Sequence, residues 1–410
     1  MVFKDVKVKS IDQKSPYFYP ARRIEITTSE KRIITPSRAA TLYEYNKKSE
    51  IPTDIPFENE ISVSLKKLNK NKLINFLKGN GLYSRWSKDM FDTSDTMKYS
   101  PFTAHIIQPT ISNVKKKGKD GKTSVTESGV EYLRKNKSLR ERFLRLIIKM
   151  QSDIGLDVIT IPYLNLPLSE YEELVKSVTR ELHRENKEPM FVFDLEYQKR
   201  GDKFEDAMKF LIDKAKSKLI AFPNKSFQNS AVSYDILSGY SEKEVAFVTF
   251  EVERAYKTGD TLSKMHSHPF IGHDIYAVKT PRYFPPADES VETAPYVKQK
   301  ESIQFFNPDN LLIQSSTERI KNIPKILDEI DQKDNRWMKT ILNDFEKIKT
   351  EQDEIYIIDA ISKIHELKSS TAEFEEVKKR IKSEESTEYI KEQTYLSNRL
   401  STLKKKKKKS

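Results

Sequence analysis

Acidic, amide and imidazole side chains gather where the apolar runs of this chain stop. Met190-Phe191-Val192-Phe193 runs into Asp194 and Glu196, Leu219-Ile220-Ala221-Phe222 into Asn224, and Val245 to Phe250 into Glu251 and Glu253. Two carboxylates converging at such ends could act as nucleophile and general base. The same groups also occur as solvated strand caps, and the sequence leaves both readings open. His266 and His268, one residue apart, could supply two ligands to a zinc ion. Asp274 is a further carboxylate, on the same side of its strand as Tyr276 and opposite Ala277, since side chains alternate.

These residues need a scaffold that brings strand ends together. From residue 157 onward strands and helices alternate. Asp157 to Ile161 reads as a strand, Tyr171 to His183 as a helix, Met190 to Glu196 as a strand, Phe204 to Ala215 as a helix, then Leu219 to Phe222 and Val245 to Glu251 as strands. That alternation argues for βα units around a parallel sheet. Gly272 to Arg282 reads as a buried strand stopped by Pro281, which has no N–H to give a ladder. Earlier, Arg23 to Thr27 and Lys31 to Thr35 form a hairpin closed by Pro36, residues 60–85 pass from a strand into a helix, and Ala104 to Pro109 is a buried strand. Residues 1–20 show no clear period. Lys115 to Lys122 reads as an exposed loop able to touch phosphate or simply solvated.

With 410 residues, the chain has room for one β/α barrel of about 250 residues and an appendage. It lacks cysteine, which excludes disulfides and thiolate metal sites and points to a reducing, cytoplasmic compartment. No apolar run is long enough to cross a membrane, and Met1-Val2-Phe3-Lys4-Asp5 has no signal-peptide core. The formal charge of +12 favours a polyanionic partner, although part of it sits in the tail Lys404 to Lys409.

Several blocks resemble the tRNA-guanine transglycosylases. Gly272, Asp274, Ile275, Tyr276 and Pro281 fall in register with the strand that carries that family's nucleophile. Arg22, Thr35 and Pro36 fit its opening hairpin, and Thr126-Glu127-Ser128-Gly129-Val130-Glu131-Tyr132 fits its Thr-Glu-x-Gly-Val-x-aromatic run. Gln151, Gly155, Asp157 and Pro167 keep its spacing through a helix and the next strand. The resemblance covers roughly residues 21–283 and implies a (β/α)8 TIM-like barrel acting on tRNA. It also implies losses. Ala277 stands where the family has its nucleophilic aspartate, Gln108 or Thr110 where it has a general base, and Tyr163-Leu164 where an Asp-Glu pair reads the base. The family's three-cysteine zinc site cannot exist here. His266-Ser267-His268-Pro269 is similar to the H-x-H-P run of metal-dependent deubiquitinating proteases, without their third ligand.

The expected architecture is an α/β barrel with its hairpin over residues 1–315, an α-helical extension over 316–403 whose part beyond residue 370 faces solvent, and a lysine tail at 404–410. The expected function is transglycosylase-like binding or modification of tRNA without the family's nucleophile. The alternatives are base exchange by a relocated nucleophile or a metal-dependent hydrolase using His266 and His268. Catalytic candidates are Asp194, Glu196 and Gln108, and substrate-binding candidates are Tyr163, Asn165, Tyr276 and Arg282. No cofactor is expected. A protein partner or a homodimer remains open.

Overall fold

The computed structural model describes residues 2–14, 20–41, 61–78, 100–111, 114–117, 123–193, 201–224, 236–252, 267–278, 304–307, 312–315 and most of 370–401. It is a mixed α/β structure. Its centre is a six-stranded, wholly parallel sheet in the order β4, β13, β12, β11, β10, β9. These strands are β4 (Ser37–Ala39), β9 (Val158–Ile161), β10 (Glu188–Val192), β11 (Leu219–Pro223), β12 (Ala246–Val252) and β13 (Ile275–Val278). Near-continuous apolar sequence suits them, because strands of a parallel sheet are buried on both faces. A second parallel pair joins β5 (Ile61–Leu68) to β6 (Phe102–Pro109).

That pair is attached to the sheet at both sides. Ala40, just past β4, donates to Ile61 O and accepts from Val63 N, both at 2.9 Å, in a parallel bridge to β5. On the other side β6 lies beside β9, and two side-chain amides, Gln108 of β6 and Gln151 of the helix before β9, pair with the main chain of β9 and of the residues just after it. Gln151 accepts from Thr160 N at 2.8 Å and donates to Thr160 O at 3.1 Å. Gln108 does the same to Tyr163, with 3.0 Å and 2.9 Å. Thr160 Oγ1 donates to His105 O. A glutamine amide offers one donor edge and one acceptor edge, as a neighbouring strand does, so these two meet main-chain groups that burial would otherwise leave unpaired.

Side chains alternate between two cores. Val158, Met190, Val192, Leu219, Ala221, Ala246, Val248, Phe250, Ile275 and Ala277 face one, together with Ala39, Val63, Ala104 and Ile106. Ile159, Ile161, Phe191, Phe193, Ile220, Phe222, Phe247, Tyr276 and Val278 face the other, which the helices cover. These are α1 (Lys70–Lys78), α2 (Gly129–Arg134), α3 (Lys137–Asp153), α4 (Leu168–Arg184) and α5 (Gly201–Lys209) with the wider turn Phe210–Lys214. Helix α4 buries Tyr171, Val175, Val178 and Leu182, a stripe at three- and four-residue spacing.

The first core is closed at the N-terminal ends of the strands by an antiparallel sheet of β1 (Phe3–Asp12), β2 (Ala21–Thr28) and β3 (Arg32–Ile34), which contributes Phe3, Val6, Ile24, Ile26 and Ile33. The expected hairpin is present as β2 and β3. Strand β1 was not expected, and its pairing shows why: the register with β2 shifts twice, between Phe3 and Asp5 and between Val8 and Ser10, which breaks the alternation a sequence pattern relies on.

Two further expectations change. The lysine-rich stretch after Val114 is not wholly loop: β7 (Val114–Lys117) and β8 (Thr123–Thr126) pair antiparallel. Nor do the last helices face solvent. Residues 370–382 (α6) and α7 (Ser386–Glu392) bury Phe374, Val377, Ile381, Tyr389 and Ile390, with Leu396 and Leu400 beyond them, in the helix-side core. Phe374 lies 5.1 Å from the Tyr276 ring, and Tyr389 stacks on Phe270 at 6.1 Å. The apolar residues are sparse but keep one face, which suffices for a helix that is wet on the other. β14 (Gln304–Asn307) and β15 (Leu312–Ser315) form a separate antiparallel pair. Among the described residues no helix is long and apolar enough to cross a membrane. The boundary at residue 316, most of the extension and the lysine tail lie outside the described residues.

Candidate functional site at the C-terminal strand ends

Polar groups occur at both ends of the parallel strands, in different conditions. At the N-terminal end Asp274 meets Arg22 of β2 in a bidentate pair, Nε to Oδ1 at 3.0 Å and Nη2 to Oδ2 at 2.7 Å. Asp274 Oδ2 also accepts from Phe247 N at 2.8 Å. Arg22 gives its remaining donors to the carbonyls of Tyr240, Ser241, Lys243 and Val245, and its guanidinium lies 5.0 Å from the Phe247 ring centre. Both side chains are buried. Asp274 is thereby committed to joining the antiparallel sheet to β12 and β13 and is not available as a nucleophile.

At the C-terminal end Glu251 of β12 is ion-paired with Lys67 of β5. Local geometry explains how Glu251 gets there. Thr249 pairs with Tyr276 and Val252 with Val278, so β12 spends three residues where β13 spends two. The extra residue is a bulge, and Glu251 adopts φ 59, a left-handed conformation rare for a side-chain-bearing residue. Phe250 faces the core that holds Val248 and Ala277, and Val252 faces the helix side. The bulge therefore leaves Glu251 on the same side as Phe250, and its partner Lys67 follows Val63 and Leu65 of that side on β5. Ala277 faces the same core from the adjacent strand, in the interval the bulge spans. A carboxylate from β12 thus comes to the level of the methyl group on β13. Glu251 is 7% exposed, and its Oε2 has no hydrogen-bond partner among the described residues.

The sequence-derived candidates divide. Gln108 is buried with its amide engaged by the main chain of Tyr163 and Pro109, so it acts as a clamp and not as a base. Tyr163 and Asn165 do come together: the tyrosine hydroxyl donates to Asn165 Oδ1 at 2.8 Å, and Asn165 has φ 52. Asn165 lines a cleft of about 400 Å³ with Glu131, Arg134, Leu166, Pro167, Leu168 and Lys203. Tyr163 itself is buried in the helix-side core. Tyr276, proposed to touch substrate, instead packs into that core between His268 and Phe374, because alternation along β13 turns Ala277 the other way. Asp194, Glu196, Arg282 and His266 lie outside the described residues.

His268 is held in a buried polar cluster. Asn224 Nδ2 donates to its Nε2 at 3.2 Å, which leaves the proton on Nδ1, facing His273 Nδ1 at 2.8 Å. Its ring stacks on Tyr276 at 5.6 Å. Burial pushes the His273 imidazole down to about 3 and does the same to His105. Among the described residues no three histidine or acidic side chains are grouped to hold a metal.

Residues of the run Thr126 to Tyr132 have structural work here. A Cβ on Gly129 would lie 2.8 Å from Leu68 O and 3.1 Å from Pro109 Cβ, so only glycine lets α2 start against the ends of β5 and β6. Ser128 caps α2 by accepting from Glu131 N. Glu127 binds Lys135 at 2.6 Å and Lys70 at 2.9 Å, and these two bonds, the Lys135 one foremost, hold its carboxyl below the usual range. Lys67 was missed, because nothing in a strand ending Lys-Lys-Leu marks one lysine as special.

Neither the family models nor the curated proteins compared with this chain give a match.

Proposed function

We propose that the chain is a (β/α)8 barrel of the transglycosylase kind that binds nucleic acid, tRNA in the first place, and does not exchange bases by that family's route. Closure of the ring is supported by the neighbour relations already described. In the order β4, β5, β6, β9, β10, β11, β12, β13, each strand lies beside the next, and β13 pairs with β4. In such a ring the sheet-enclosed core is the interior, the antiparallel sheet a plug at its N-terminal end, and the C-terminal strand ends the usual place for binding. Helix α6, packed on β13, fits the helical layer.

The observation that carries the reading is the placement of Ala277. It faces the enclosed core from the strand that resembles the nucleophile strand, and a methyl group cannot attack a ribose carbon. A formal charge of +12 suits a polyanion, and the absence of cysteine suits a cytoplasmic home.

Two assays on purified protein test this. Retention of tRNA in a gel shift, falling steeply as salt is raised, is expected; no retention at low salt removes the nucleic-acid assignment. No incorporation of labelled guanine into tRNA is expected. Incorporation that disappears in Glu251→Gln would overturn the non-exchanging reading and make the β12 carboxylate the relocated nucleophile.

A further inference from the structure

Glu251 carries two local costs at once. A non-glycine residue at φ 59 is strained. A buried carboxylate oxygen without a donor forfeits the hydrogen bond it would have had in water. Neither is needed to hold the fold, since β12 is already paired to β11 and β13 along its length. Costs of this kind gather where a site is shaped for something other than the chain itself.

The chemistry of the missing partner can be read from what is present. Lys67 already balances the charge of Glu251 through Oε1, so Oε2 calls for a neutral O–H or N–H donor and not a second cation. Lys67 is 38% exposed and keeps two further N–H donors, which call for a carbonyl or anionic oxygen. A divalent metal is disfavoured beside an ammonium group, and no third acidic or imidazole ligand stands near among the described residues.

We propose that Glu251 and Lys67 form a subsite for one nucleotide unit, Glu251 Oε2 accepting from a ribose hydroxyl and Lys67 donating to the phosphate. Hydroxyl and oxyanion lie a few ångströms apart in that unit, matching an acceptor set beside an ammonium. The assignment of the ligand as a nucleotide rests on the nucleic-acid reading above; the half-paired carboxylate does not.

The test uses the full chain with guanosine and adenosine 5′-monophosphates, the corresponding nucleosides, and tRNA. Calorimetry is expected to show monophosphate binding that weakens about tenfold in Glu251→Gln and about tenfold in Lys67→Gln. Nucleoside binding should weaken in Glu251→Gln alone. Glutamine keeps the shape of Glu251 while placing a donor where the acceptor was, and Lys67→Gln, at a half-exposed position, guards against a folding artefact in the first variant. Monophosphate binding that is absent in the wild type, or equal in all three proteins, overturns the subsite. If tRNA is nevertheless retained, the nucleic-acid reading survives that failure. If monophosphate binding behaves as expected and tRNA is not retained, the polymer reading fails and the subsite stands as one for free nucleotides.

Discussion

The two charge pairs at opposite ends of the parallel strands are made of similar groups and differ in completeness. Arg22 and Asp274 share two parallel hydrogen bonds, and further backbone partners take up the rest of both groups. Lys67 and Glu251 meet through one oxygen, on a bulged strand, with the other oxygen idle. A fully satisfied buried pair joins elements and cannot react. A half-satisfied one, like that at the C-terminal strand ends, costs stability and keeps a free acceptor.

The largest expected effect is at the satisfied end. Asp274→Asn leaves the Arg22 cation buried without its counter-charge and should cost about 3–5 kcal/mol in urea unfolding. A cost under about 1 kcal/mol would mean that water reaches this pair and that it does not join the two sheets. Next comes the amide by which α3 holds β9. Gln151→Leu strips both partners from the Thr160 main chain and should cost about 2–3 kcal/mol, whereas Gln151→Glu should regain part of that only at low pH, where the carboxyl can donate.

Acid should act on the interior histidines. His105 and His273 have folded values near 3, far below the 6.5 of the exposed group, so the unfolded chain binds their protons first. Their neutral state is fully compatible with the fold above about pH 6.5. Stability should then fall as pH drops toward 3, by at most about 1.4 kcal/mol per pH unit for each histidine. Unfolding midpoints at pH 7.5, 6.0 and 4.5 check this, and a slope unchanged in His273→Gln would assign the acid sensitivity elsewhere. The smallest stability effect belongs to the unsatisfied end. Glu251→Gln should change unfolding by less than about 1 kcal/mol in either direction while changing ligand binding, and a loss comparable to Asp274→Asn would make the two ends alike after all.

The sequence exposed the βα alternation because buried parallel strands are plain apolar runs separated by amphipathic helices. Strand β1 was hidden by its two register shifts, and the packing of α6 and α7 by how few apolar residues they need. The site was less legible. The identity of Ala277 and its direction could be anticipated from alternation, and Glu251 could be noticed as a strand-end acid. Its approach to Ala277 depends on one extra residue in β12, and nothing in Val248-Thr249-Phe250-Glu251 announces a bulge. Gln108 illustrates the reverse error. An amide at a strand end invites a catalytic reading, but the neighbouring main chain claims it first.

Helices α6 and α7 cover Tyr276 and Phe270, and the start of α7 is fastened to the first strand, Ser386 N donating to Asp12 Oδ2 at 2.9 Å. Synthesis runs in one direction, so a nascent chain lacks these two ring partners of Tyr276 and Phe270 until some hundred further residues have emerged. Any product stopping before residue 370 lacks the Phe374 and Tyr389 rings, and with them the contacts these make to Tyr276 and Phe270.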